Sequence, residues 1–130
     1  MIMLPVTLSA AAAAAAINIW LSVRIGQLRG KLQISVGDGG NEALIRRMRA
    51  QANFIENTPL VLILLGAIEL ARLDNIWLLY IGAAYSIGRV LHGLGMDGGA
   101  FGVGRMIGTL VTMLTQLGLT IWAVAIVAGY

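Results

Sequence analysis

Residues 45–60 read Ile-Arg-Arg-Met-Arg-Ala-Gln-Ala-Asn-Phe-Ile-Glu-Asn-Thr-Pro-Leu and continue without a loop signal into the apolar run 60–65, Leu-Val-Leu-Ile-Leu-Leu. Four polar side chains here are spaced three, four and three residues apart, which predicts one shared helix face: Arg46, Arg49, Asn53 and Glu56. Glu56 therefore enters a segment that can lie in hydrocarbon. Because ionisable groups at membrane depth are costly unless they are paired or face a wet cavity, this stripe is the first candidate for a functional site.

Charged residues are few and unevenly placed along the chain. Of its 130 residues, 58% are hydrophobic and 12% charged, and the mean hydropathy is +0.85. A soluble domain carries roughly 25% charged residues. Residues 1–23 and 106–130 contain no charged side chain, and about 20 apolar residues suffice to cross the hydrocarbon core of a bilayer. The composition therefore predicts an integral membrane protein.

Residue counts exclude several classes of site. The chain has no cysteine, so neither a disulfide framework nor a protein thiol nucleophile is available. One histidine and six acidic residues spread along the chain form no metal-ligand pattern, and we predict no metal site. The net charge of +3 does not indicate nucleic acid, because the basic residues flank the apolar spans as orientation signals do. No nucleic-acid partner is expected.

The breaks in the apolar pattern predict an all-α integral membrane protein, a bundle of four transmembrane helices. A glycine-rich turn at 37–40 ends the first helical region. Asn41 is the expected N-cap of the second helix and Asp74 that of the third. Gly104-x-x-x-Gly108 is expected to allow close packing of the fourth helix. We predict a single domain over residues 1–130, with helices at about 4–27, 41–71, 75–94 and 102–128.

Basic residues indicate how the helices are oriented. They concentrate around the first and third loops, whereas the second loop has only Arg72 and neither terminus has any. The positive-inside rule places the two basic loops in the cytoplasm and both termini outside, and we expect the cell inner membrane. The polar helix ends then lie in the cytoplasmic half, where seven candidate site residues gather: Arg29, Arg49, Asn53, Glu56, Arg89, His92 and Arg105.

This set contains more positive than negative charge. Arginine binds carboxylates bidentately and stays charged when buried, which suits an anionic ligand that enters from the cytoplasm. A hydrophobic partner has lateral access from the bilayer, and an arginine beside a ligand thiol would lower the pKa of that thiol. Structural alternatives stay open: Arg46 and Arg47 as topology signals, the stripe from Arg49 to Glu56 as a network joining helices, and His92 as a polar residue reaching the interface.

At Arg49-Ala-Gln-Ala-Asn53-Phe-Ile-Glu56-Asn-Thr-Pro59 the sequence resembles the MAPEG superfamily, membrane-associated proteins in eicosanoid and glutathione metabolism. The family includes microsomal glutathione transferases and leukotriene C4 synthase. The glycine-rich turn at 37–40 resembles that of bacterial members in particular. The resemblance covers the whole chain. It implies a homotrimer of four-helix bundles, with glutathione held at each subunit interface near the cytoplasmic side.

The resemblance also assigns roles to single residues. Arg105 matches the arginine that stabilises the glutathione thiolate, and it is the expected catalytic residue. Gln51 matches a polar position that reaches toward a neighbouring subunit's site. His92 stands at a tyrosine position of the leukotriene-synthase type. The residues expected to bind glutathione are Arg29, Arg49, Gln51, Asn53, Glu56, Arg89 and His92.

These matches imply a glutathione transferase, with possible peroxidase activity, that uses glutathione as co-substrate. Its partners would be a lipophilic electrophile or a lipid hydroperoxide, together with membrane lipid. Asn57, His92 and Met96 replace family tyrosines, which argues against leukotriene synthesis. The alternative is a non-catalytic ligand-binding or scaffold protein of the same family. A small multidrug transporter is disfavoured, because the first span lacks the acidic residue that such transporters require.

Overall fold

Four α-helices make up most of the structure, a computed structural model that describes residues 2–72 and 76–130. They are α1 (Pro5–Leu32), α2 (Glu42–Ala71), α3 (Ile76–Gly95) and α4 (Val103–Val127), with one turn of 3₁₀ helix at Gly99–Phe101. The described residues contain no β-strand. The predicted all-α, four-helix fold is confirmed. The predicted helix cap Asp74 lies outside the described residues.

Helix ends follow local chemistry. The predicted N-cap of α2 is confirmed, because the Asn41 side chain accepts the Leu44 N–H at 3.0 Å. The first helix continues past its predicted end at Gln27 to Leu32. Arg29 and Lys31 occupy its last turn, where their positive charges interact favourably with the negative end of the helix dipole.

The N-terminus of α1 is capped by a residue of another helix. Its own N-cap, Leu4, supplies no side-chain acceptor. Glu69 of α2 accepts the backbone N–H groups of Val6 and Thr7, each at 2.8 Å, and the Thr7 hydroxyl at 2.6 Å. Glu69 is only 5% exposed. The carboxylate thus satisfies otherwise unpaired donors at the positive end of the helix dipole.

Close packing of α3 against α4 depends on glycine. A Cβ atom on Gly108 would lie 2.5 Å from the Gly88 carbonyl oxygen, and one on Gly104 would lie 2.6 Å from the Leu91 carbonyl oxygen. Helix backbones approach this closely only where side chains are absent. The predicted packing role of Gly104 and Gly108 is confirmed.

The bundle has two buried apolar clusters, one toward each end. One joins the later part of α2 to α3 and α4 through Val61, Leu65, Ile68, Leu78, Tyr85 and Leu119. The other joins α1 to the early part of α2 through Ile17, Leu21, Ala50 and Phe54. The candidate site residues of α2 begin beside this second cluster. Packing of α2 on α1 therefore fixes their position.

The outer surface of the bundle is largely apolar. Among the described residues, three helical stretches are long and apolar enough to cross a membrane: Pro5–Leu32, Glu42–Ala71 and Gly99–Val127. The 20-residue α3 is not among them. Its polar residues Arg89 and His92 are buried, while Trp77, Tyr80 and Ile87 are exposed. It therefore also presents apolar and aromatic side chains outward, as a membrane bundle requires.

Candidate functional site

The polar stripe of α2 divides between the surface and the interior. Arg49 Nη1 lies 4.0 Å from Glu56 Oε1, and the two side chains are 61% and 58% exposed. Asn53, between them in sequence, turns toward α3, and its Oδ1 accepts a hydrogen bond from Arg89 at 2.8 Å. The expected shared face therefore holds for Arg49 and Glu56, whereas Asn53 connects that face to the core.

Arg89 lies inside the bundle with neutral partners. It is 1% exposed; besides Asn53, it donates to Thr112 Oγ1 at 2.8 Å, and its guanidinium lies 5.8 Å from the Phe54 ring centre. His92, on the next turn of α3, is 4% exposed. Arg89 Nε and His92 Nδ1 have no hydrogen-bond partner within the described part of the chain. Both predicted ligand contacts thus face other helices of the same chain rather than an open surface.

Arg29 and Gln51 line an open groove of about 560 Å³ between α1 and α2. Gln51 donates to Ser22 Oγ at 2.6 Å and to Asn18 Oδ1 at 3.3 Å. Arg29 donates to the Gly37 carbonyl at 2.5 Å and so anchors the glycine-rich turn. The other lining side chains are mainly apolar: Ile25, Met48, Ala52 and Ile55. The groove therefore combines polar hydrogen-bonding groups with an apolar wall.

Arg105 lines a different, smaller cavity of about 200 Å³ at the connection between α3 and α4. Its other lining residues are Arg46, Gly95, Met96, Gly98 and Gly102. Arg105 is exposed and forms no salt bridge with any residue that the structure describes. Its guanidinium is therefore available to an anion.

An ion-pair network ties the α3–α4 connection to the other two helices. Asp97 pairs with Arg24 of α1, which is 9% exposed, and with Arg47 of α2 at 3.3 Å. Arg24 also donates to the Gly93 carbonyl at 2.9 Å, and its guanidinium lies 4.8 Å from the Trp20 ring centre. In the sequence, both arginines belong to the basic residues beside the first loop and indicate only the orientation of the helices. Arg24 and Asp97 are 73 residues apart, and no local pattern indicates their pairing.

Within one chain, the predicted site residues fall into four groups: the exposed Arg49–Glu56 pair, the open groove with Arg29 and Gln51, the small cavity with Arg105, and the inward-facing Asn53, Arg89 and His92. The described residues contain no group of three or more side chains that could hold a metal ion. Guanidinium, amide and carboxylate groups bind polar organic ions through hydrogen bonds and charge. The arrangement is suited to such a ligand.

Comparison with known proteins gives a family. No curated protein matches the chain. The model of the protein family described as the MAPEG family matches residues 7–125, which is most of the sequence. The chain belongs to the MAPEG family, the membrane proteins of eicosanoid and glutathione metabolism.

Proposed function

We propose that this protein binds glutathione at the cytoplasmic side of the membrane and activates its thiol for attack on lipophilic electrophiles or hydroperoxides. The observation that carries the proposal is the Arg49–Glu56 pair, which is more than half exposed on a helix long and apolar enough to span a bilayer. Charged groups at this position are costly against lipid. They require a second chain, a polar ligand or both.

The depth of Glu56 supports this requirement. It lies 15 residues before the end of α2 at Ala71, which is about 22 Å of helix. With Ala71 at the far boundary of a roughly 30 Å hydrocarbon core, Glu56 lies about 8 Å inside the near boundary. At this depth the exposed sides of both charged groups would face lipid within one chain. A polar ligand, held where a second chain adjoins this surface, supplies the partners that the charges need.

Glutathione fits the available groups. It carries two carboxylates, an ammonium group and two amides, which match Arg49, Glu56 and the amide of Asn53 in charge and hydrogen-bonding type. The groove adds the Arg29 guanidinium as a donor for a carboxylate, and in the homotrimer implied by the family it would face a neighbouring subunit. A subunit interface would also cover the exposed charges.

Arg105 supplies the proposed chemistry. A guanidinium beside the bound thiol stabilises the thiolate and lowers the pKa of the thiol, which raises the fraction of nucleophile at neutral pH. With an electrophile, the sulfur forms a bond to carbon, and the leaving group departs with the electron pair of the broken bond. With a hydroperoxide, the sulfur bonds to the terminal oxygen as the O–O bond breaks and the alcohol leaves with a proton, and a second glutathione then converts the sulfenic acid to glutathione disulfide and water. The rest of the rate enhancement comes from holding the thiolate at the membrane surface, next to a partner dissolved in the bilayer.

The test is glutathione conjugation to a lipophilic aryl halide by purified protein in detergent. Arg105→Ala should lower the rate about 100-fold or more, the loss typical of one electrostatic group at a reacting centre. Arg72→Ala is the matched control, because Arg72 follows the opposite end of α2 and contacts the carbonyl oxygen of Tyr130. Equal activity of wild type and Arg105→Ala would contradict the role of Arg105.

A second candidate is ligand binding without chemistry. It is favoured by the separation, within one chain, of Arg105 from the groove that contains Arg29 and Gln51. In that case glutathione binds the Arg49–Glu56 surface, but its thiol stays protonated. Binding without conjugation in the same assay would support this candidate.

A further inference from the structure

We infer that Arg89 is a positioning residue that orients the Asn53 amide, so that Asn53 presents its NH2 group to the ligand between Arg49 and Glu56. The ligand must then place a hydrogen-bond acceptor, a peptide carbonyl or a carboxylate oxygen, at Asn53. The inference rests on the proposed function, since it concerns the same ligand surface. It replaces the expectation that Arg89 itself contacts glutathione.

The direction of the Asn53 amide follows from the chemistry of arginine. The oxygen and nitrogen of an asparagine amide are usually assigned from their hydrogen-bond partners. Guanidinium groups are donors only, so the atom 2.8 Å from Arg89 Nη2 must be the amide oxygen. A reversed amide would place two donors against each other in the interior. Arg89 therefore selects one of the two amide orientations.

Arg89 is itself held in place on two sides. The Thr112 hydroxyl donates to the Gly108 carbonyl at 2.9 Å, so its oxygen remains an acceptor for Arg89 Nη1 at 2.8 Å. Phe54 lies against the guanidinium, and the side chain is 1% exposed. The Arg89 guanidinium is fixed by one hydrogen bond to α2 and one to α4. It therefore cannot easily move to accommodate a rotated Asn53 amide.

The NH2 group of Asn53 is left available. It has no hydrogen-bond partner among the described residues, and Asn53 is half-buried rather than enclosed. Arg49 lies four residues before Asn53 and Glu56 three residues after it, so both are neighbours on the helix surface. The charged atoms of Arg49 and Glu56 lie 4.0 Å apart, so the surface offers a cationic donor, a neutral donor and an anionic acceptor close together. This set matches an α-amino acid group, in which a carboxylate and an ammonium group share one carbon atom, as at the glutamyl end of glutathione.

The test compares glutathione affinity with thermal stability in three variants of the full chain, by calorimetry and by thermal unfolding in detergent. Arg89→Leu removes the group that orients Asn53, and the glutathione Kd should rise about tenfold, the effect of one lost hydrogen bond. Arg89→Lys retains a donor for Asn53 and should keep most of the wild-type affinity. Arg89→Lys can still be compared with wild type if Arg89→Leu does not fold.

Glu69→Ala is the matched structural control. It removes the acceptor that caps the start of α1 and should lower the melting temperature, while Arg89 keeps both of its hydrogen bonds. Its glutathione Kd should therefore stay within about twofold of wild type. A purely structural role for Arg89 predicts instead that affinity falls in step with melting temperature across all three variants, which would overturn the inference.

The two proposals fail differently. If wild type does not bind glutathione, the proposed function is wrong and the inference falls with it. If wild type binds and Arg89→Leu binds equally well, the inference alone is wrong. A direct readout is available from protein labelled with ¹⁵N-asparagine, in which glutathione should shift the side-chain NH2 signal that Asn53→Asp removes. A signal that does not move on binding would also overturn the inference.

Discussion

Arg49 and Glu56 lie together on the outside of α2, while Asn53 between them bonds inward to Arg89. The spacing in the sequence predicted that all three residues share one face of α2. It did not predict that Asn53 turns inward while Arg49 and Glu56 stay on the surface. Asn53 is rotated about 40° around the helix from Arg49, and that rotation brings its side chain to α3. Sequence alone also did not place Arg89, because burial of an arginine among neutral partners depends on two other helices.

Glu56→Gln tests the ligand surface at the scale of one residue. Removing the negative charge should weaken glutathione binding about tenfold in calorimetry, because a charge-assisted bond to the ligand ammonium group is lost. The melting temperature of the ligand-free protein should change little, because glutamine keeps a hydrogen-bond acceptor for Arg49. Glu42→Gln, which breaks the exposed pair with Arg46, is the control and should leave affinity unchanged. An unchanged Kd in Glu56→Gln would remove Glu56 from the site.

At the scale of helices, residue roles that depend on nearby sequence could be predicted, whereas roles that depend on contacts with residues far along the chain could not. Asn41 caps a helix that starts at the next residue, and Gly104 and Gly108 repeat at helical spacing, so both roles could be predicted from sequence. Glu69 caps a helix that begins more than 60 residues earlier. Only the packing of α2 against α1 shows its function.

Glu69→Ala should therefore destabilise the bundle through α1. Three donors at the start of α1 would lose their acceptor, at a cost of about 1–3 kcal/mol. Thermal unfolding in detergent measures the effect, and Thr7→Val, which removes only the hydroxyl donor, should show a smaller one. Glutathione affinity of the folded protein should be unaffected. A melting temperature equal to wild type would contradict the capping role.

Two glycines of α4 provide a matched pair for the helix interface. Gly108→Ala should cost about 1–3 kcal/mol, because the new Cβ meets the Gly88 carbonyl and the His92 side chain. Gly118→Ala, where nothing lies within 4 Å, should be neutral or stabilising by up to about 1 kcal/mol. Comparable melting temperatures for the two variants would mean that α3 and α4 do not pack as closely as described.

At the scale of the whole molecule, the bundle has an apolar surface interrupted by the Arg49–Glu56 pair and the groove with Arg29 and Gln51. Both features lie on α2 or beside it. The sequence predicted a membrane bundle from its composition. It could not show that the candidate residues form separate groups in one chain, since that depends on how the helices are rotated.

The proposed function requires self-association to bring these separate groups together. We expect the purified protein to be a homotrimer, with a mass near three times the 13.7 kDa of one chain. Native mass spectrometry from a mild detergent measures this directly. Arg105→Ala should leave the assembly intact, because the proposed role of Arg105 is to contact the bound thiol rather than a neighbouring subunit. A stable monomer that still conjugates glutathione would contradict the interface site.

The most direct test of thiol activation is ultraviolet difference absorbance during titration of the detergent-purified protein with glutathione near neutral pH. The proposed function predicts a growing thiolate band for wild type and Arg72→Ala, and no band for Arg105→Ala. Binding measured by calorimetry without a thiolate band in wild type would contradict activation and support the non-catalytic alternative.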